Sequence, residues 1–238
     1  MVRRLIKYRG WLAIGIFLLI VFTLCIMDKR SGIQLDKLIW VFMISALLGD
    51  VIETLYCWAL EGCWMSRSSV LYGPFSIVWG IGAVVLTVVL SQLENKHVGA
   101  VFLVGAFIGG IYEYVCSWFT EITLGSIFWD YSWMPLNIGG RTNLLYMAFW
   151  GALSVIWVKW IYPKMSRFID KLPVFHLKSV TRILAVFMIC NTVLSAAALI
   201  RYTERKDGVE ASNMIDQFID ENYEDSRIEK IWPNMMMK

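Results

Sequence analysis

The stretch LLGDVIETLYCWALEG, Leu47–Gly62, decides the reading of this chain when it is set beside FIGGIYEYVCSWFTEITLG, Phe107–Gly125. Both are apolar enough to lie in a membrane, and each carries a glutamate in its interior, Glu53 and Glu113. A shift of sixty residues superposes Gly49 on Gly109, Glu53 on Glu113, Trp58 on Trp118 and Glu61 on Glu121. A carboxyl inside a membrane helix is costly and marks a functional site by default. Its recurrence at a matching place predicts a duplicated unit, with a site near the pseudo-symmetry axis.

Working outward, the 238 residues are 58% hydrophobic and 17% charged, against about half apolar and about a quarter charged for a soluble domain. Six runs approach the roughly 20 residues that a spanning helix needs. They lie near Trp11–Met27, Leu38–Leu60, Phe75–Leu90, Val98–Thr120, Leu144–Ile161 and Val180–Ile200. The fold class expected is therefore all-α, a polytopic membrane protein of about six transmembrane helices. The first run follows Arg3, Arg4, Lys7 and Arg9 but has no small-residue cleavage pattern, so residues 1–37 read as a retained anchor. Residues 38–95 and 96–161 form the two repeat units. One helix separates the two glutamate helices, so they run in the same direction and the repeat is parallel.

Residues 162–206 hold a short amphipathic helix and the last transmembrane helix. Met165, Phe168, Ile169 and Leu172 share one face of the short helix, opposite Lys164, Arg167 and Lys171, which predicts a helix lying on the membrane surface. Residues 207–238 form an acidic soluble tail, expected to be solvated and partly helical. It has eight acidic and three basic residues.

After each glutamate helix comes an irregular stretch rich in Gly, Pro, Trp and Tyr: Gly62–Gly82 and Leu124–Leu145. Such backbone cannot face lipid, because its amides would go unpaired. It must lie in water, at the interface, or against protein lining a cavity. Asp130, Asn137 and Arg141 sit in the second stretch and Tyr72 in the first. Each glutamate is placed about seven residues below its loop, or about 10 Å. Two bare carboxylates at that depth call for protonation or a compensating cation, for which Arg141 comes first and Arg67 second. Asp50, one turn before Glu53, shares its face.

Several classes are excluded. The net charge of +3 is too small and too scattered for a nucleic-acid partner. His97 and His176 are the two histidines, and both lie in connections, against a metal cluster or a His-based triad. No phosphate-binding loop for ATP occurs, so the chain has no ATPase of its own. Five cysteines without a CxxC pair read as small apolar residues. No cofactor is called for. Lys and Arg divide nine to ten between the two faces, and the dense amino-terminal run then favours both termini in the cytoplasm.

The motifs resemble those of the bacterial CmpB-like family of ABC-transporter permeases, type IV. The matching pieces are Glu53 in its glycine-containing helix, LYGP at Leu71–Pro74, GxxxE at Gly109–Glu113, WDYS at Trp129–Ser132 and NxxGR at Asn137–Arg141. They cover Ser45 to Trp150, and ALIRYTER with a late WPN at Trp232–Asn234 is similar too. The chain departs from the pattern at Ile77, where the family has proline, and at Asn191, where it often has an acid. The resemblance implies a transporter subunit that needs a separate ATPase and a second permease copy. On this reading Glu53, Glu113, Asp130, Asn137, Arg141 and Tyr72 bind the solute or an ion, and the bilayer is the other partner. Two readings stay open beside it: a membrane-embedded enzyme acting on a lipid or isoprenoid, and a non-catalytic scaffold or sensor.

Overall fold

The computed structural model describes residues 34–237, apart from the side chains of residues 61 and 174–177. The run expected to form the first helix, Trp11–Met27, lies outside the described residues. The described chain is mostly helical. Helix α1 spans Leu35–Glu61, α2 Ile77–Leu90, α3 Val98–Leu124 and α4 Leu144–Ile156. A π-helical turn, Trp157–Ile161, joins α4 to α5, Tyr162–Asp170, and α6 spans Val174–Lys206. Two short helices follow, α7 at Met214–Asn222 and α8 at Asp225–Ile231. Two-residue strands complete the described chain: β1 (Ser126–Ile127) pairs with β4 (Met236–Met237), and β2 (Asn137–Ile138) with β3 (Thr142–Asn143).

Four helical runs among the described residues are long and apolar enough to cross a membrane: Leu35–Leu60, Val98–Leu124, Leu144–Asp170 and Lys178–Lys206. Helix α2 is shorter. Its 14 residues span about 21 Å, against about 30 Å of hydrocarbon. The reason is that the chain before it does not start at the end of α1. The Ser76 amide donates to the Ala46 carbonyl at 2.9 Å, and Ala46 lies 15 residues, about 22 Å, below the end of α1. The loop 62–76 therefore turns back along α1 before α2 begins.

The two glutamate helices are built alike. Each has 27 residues and ends at a glycine of positive φ, Gly62 (69°) or Gly125 (68°), whose amide closes the last turn. Helix α1 packs mainly on α2 and α3 on α4, with α2 also touching α3. The close approach of α3 to α4 rests on small residues. A Cβ on Gly109 would lie 2.2 Å from Trp150 Cβ, and one on Gly105 2.2 Å from Ser154 Oγ. Gly105 and Gly109 are four apart, as close helix packing in membranes favours.

Two sequence expectations change here. The amphipathic segment after Ile161 is not a separate helix, because α4, the π turn and α5 run on as one 27-residue helical stretch. Pro163 has no amide proton to give to the Lys159 carbonyl, which accounts for the local widening of the ladder. Met165 and Ile169 face protein, in the main core with Leu38, Val41, Leu90 and Val101, while Phe168 stays exposed. Lys37 of α1 holds this end through Ser166 (3.0 Å) and Asp170 (2.7 Å).

The tail is partly helical as expected, but one face of it is buried. Ile219, Tyr223, Ile228 and Trp232 form a second core with Leu71, Ala198, Leu199 and Tyr202.

Candidate functional site

Each irregular loop reaches the glutamate of the helix before it. In the first loop, Arg67 Nε donates to Glu53 Oε1 at 2.9 Å, and its Nη2 forms an ion pair with the same oxygen. Trp79, in the first turn of α2, donates its indole N–H to Glu53 Oε2 at 2.9 Å. In the second loop, Tyr131 donates its hydroxyl to Glu113 Oε1 (2.9 Å) and Thr142 donates to Oε2 (2.7 Å). Glu113 is buried and Glu53 partly so. Both carboxylates thus have a donor on each oxygen, which is how a protein holds such a group away from water.

The second loop owes its course to glycine. Gly139 and Gly140, at φ 59° and 70°, are the central residues of the turn that opens the three-residue connection between β2 and β3, and positive φ at both positions suits glycine. The Arg141 amide closes it on Ile138 O at 3.1 Å. The turn sends Arg141 and Thr142 back onto α3. There Glu113, Ser117 and Glu121, spaced by four, form one stripe. Thr142 takes Glu113, and Arg141 takes Ser117 (3.2 Å) and pairs with Glu121. The Arg141 guanidinium also lies over the Tyr114 ring at 5.7 Å.

An aromatic layer separates the two glutamates. Trp79 lies against Trp150 (centroids 6.1 Å) and Trp150 against Tyr112 (5.7 Å). Tyr131 stacks on Tyr146 at 4.5 Å and lies within electrostatic reach of both Glu113 and Glu53. Glu113 is thus enclosed by protein, while Glu53 keeps 26% of its side chain exposed.

The other candidates fall elsewhere. Asp130 Oδ1 accepts from the Ser132 amide (2.8 Å) and hydroxyl (2.5 Å). Asn137 bonds Met134 O (2.7 Å) and the Gly140 amide (3.0 Å). These contacts shape the loop. Tyr72 meets the tail: its hydroxyl pairs with that of Tyr223 at 3.0 Å, and Arg227 lies over its ring at 5.6 Å. Leu71, Phe128 and the tail share one core, so the two loops meet the tail at one end of the bundle.

Three expectations need adjustment. Arg141 does not pair with Glu113, whose donors are Tyr131 and Thr142; it is Arg67 that pairs with one of the two interior glutamates, Glu53. The matched depth is off by almost a turn, since α1 runs eight residues past Glu53 and α3 eleven past Glu113. Asn191 and Ser195 of α6 were not singled out as site residues. Asn191 accepts from the Tyr72 amide (3.2 Å) and donates to the Tyr72 carbonyl (2.7 Å), while Ser195 accepts from the Leu71 amide (2.9 Å). An ionised acid could accept but not donate, so this two-way hold is proper to the Asn that marks this chain's departure at 191.

Four helical runs of membrane-crossing length among the described residues fit a membrane protein with several spans. A family model described as "Putative ABC-transporter type IV" matches residues 40–196. That is well over half of the sequence, and the chain belongs to this family. No curated protein and no solved structure matches it.

Proposed function

We propose that the chain is the membrane-embedded permease subunit of an ABC-type transporter for a small solute, working with a separate ATPase and a second permease copy. The observation that carries the reading is a pair of interior carboxylates, buried Glu113 and partly buried Glu53, each bonded on both oxygens by side chains from the irregular loop that follows its helix or from the first turn of α2. Irregular backbone at membrane depth is tolerated where protein or a pathway surrounds it, and it is where transporters commonly place their sites. Glu53, Glu113 and Arg141 supply the charge. Asp130 and Asn137 shape the loop that presents Arg141, and Tyr72 couples the first loop to the tail.

The units 38–95 and 96–161 are read as a parallel repeat within about six crossings. In support, Gly49 lies under Trp79 as Gly109 lies under Trp150. Both termini are placed in the cytoplasm, which puts the loops and tail on the side an ATPase can reach.

The test is a metabolite profile of cells lacking the chain, complemented by the wild type or by Glu113→Gln at equal membrane level. A solute level restored by the wild type and not by the variant supports the reading. Full restoration by Glu113→Gln, or no change on removing the chain, defeats it. The fully paired state of both carboxylates favours a second reading, in which they hold the loops in place and the chain is a scaffold or sensor. Full restoration by the variant is the outcome that reading requires.

A further inference from the structure

A cavity of 660 Å³ lies between α1, the first loop and the tail, with Asp50, Leu55, Trp64, Pro74 and Lys230 among its walls. The donors of Glu53 and Glu113 are not among its walls, although Arg67 and Glu53 act electrostatically on Asp50, and it falls within the size range of small-molecule sites. Asp50 is 5% exposed, and its Oδ1 is buried with no hydrogen-bond partner. A buried carboxylate oxygen left without a donor is expensive. The corresponding place in the second unit is Gly110, where a Cβ would meet Met147 at 2.6 Å. One unit thus fills this position with a side chain, and the other puts an acid beside a cavity.

The remaining walls say what fits. Leu55 and Trp64 are 46% and 69% exposed, and with Pro74 they offer apolar contact. Leu55 lies on the outer flank of α1, beside exposed Leu48 and Ile52, the face such a helix turns to lipid. Lys230, from the tail, brings one positive charge. An inorganic cation would satisfy Asp50 and leave the apolar walls and Lys230 unused.

We propose that this cavity binds an amphiphile bearing an organic ammonium, held by Asp50, and an anionic group, held by Lys230, with its apolar body along Leu55 and Trp64. An amine-headed phospholipid has this chemistry, and so does a free zwitterionic solute. The inference does not rest on transport through the glutamate pair.

The test is native mass spectrometry of the full chain in detergent, with three probes: palmitoyl lysophosphatidylethanolamine, palmitoyl lysophosphatidylglycerol and phosphorylethanolamine. Saturable binding of the amine-headed lipid to one site is expected, at least tenfold tighter than the glycerol-headed one. Asp50→Asn should weaken it at least tenfold, and Lys230→Gln a few-fold. Leu55→Trp narrows the apolar wall, leaves both charges in place and should weaken binding several-fold; it decides the matter if Asp50→Asn fails to fold. Competition by phosphorylethanolamine identifies a free solute as the occupant, and lack of competition identifies a lipid. Equal binding of the two lipids, or binding unchanged in Asp50→Asn or Leu55→Trp, overturns the proposal. Because the readout is binding, failure here leaves the metabolite test of Glu113 untouched, and the reverse holds too.

Discussion

The two glutamates differ in what their loss should do. Glu113 is bonded by two hydroxyls, from Tyr131 and Thr142, and a hydroxyl can turn to accept as well as donate. Glu113→Gln should therefore keep the fold, with a thermal midpoint in detergent within a few degrees of the wild type. Glu113→Leu leaves two hydroxyls without partners and should cost about 1–3 kcal/mol for each one left buried. The two arginines separate in the same way. Arg67→Ala strips Glu53 of its guanidinium in a partly buried place and should cost about 1.5–3 kcal/mol, as expected for a hydrogen bond to a charged group. Arg141→Ala leaves Glu121, 34% exposed at its side chain, within reach of water and should cost about 1 kcal/mol or less. Chemical denaturation of the two alanine variants, side by side, checks the order. A larger loss at Arg141 would restore it to the counter-ion role that its place in the sequence suggests.

At the scale of elements, the helices were legible because hydrophobic runs report burial or lipid directly, although the two glutamate helices lie three residues off the sixty-residue shift. The pairing inside the loops was not legible. Which donor meets Glu113 depends on the Gly139–Gly140 turn and on how far each loop turns back, and these are tertiary facts. The same holds for α2, whose apolar run is plain in the sequence although its shortness follows from the Ser76–Ala46 bond. The paired small residues were a readable signal. Gly109→Ala would drive a Cβ into the Trp150 Cβ, which cannot swing away as a side-chain tip can, so a loss of about 1–3 kcal/mol from overpacking is expected. Asn191→Asp removes the donor to the Tyr72 carbonyl and should raise amide hydrogen exchange across 68–76 while leaving α3 and α4 unchanged. Unaltered exchange there would show that the grip of α6 on the loop does not matter.

For the whole molecule, the tail is the part that the sequence placed least well. Eight acidic residues suggest solvation, but they mask the spacing of Ile219, Tyr223, Ile228 and Trp232, which pack on the end of α6. The acids have partners on α6: Asp220 meets Arg201 and Arg205, Asp225 meets Arg205 and Lys206, and Glu229 meets Tyr202 and Lys206. Partial burial works against ionising Asp220 and Asp225, but these cations outweigh it and hold both carboxyls below their ordinary range. Tyr202, then Lys206, hold Glu229 below its own. The sign follows from these depressions. A carboxyl that ionises more readily when docked stabilises docking above its free pKa, about 4 for Asp and Glu. That contribution is lost as the pH falls through the lower, docked values. Tail docking should thus be steady from pH 7 to about 5, then weaken towards pH 3, with amide protection, taken relative to the intrinsic exchange rate at each pH, falling across 214–232 before it falls in α1 or α3. Arg205→Gln removes a partner of both Asp220 and Asp225, so it should weaken docking at neutral pH and flatten the acid response. If amide protection in the tail, relative to the intrinsic exchange rate, is the same at pH 7 and pH 3, or if Arg205→Gln keeps the full acid response, the apolar core alone holds the tail and the charge pairs are incidental.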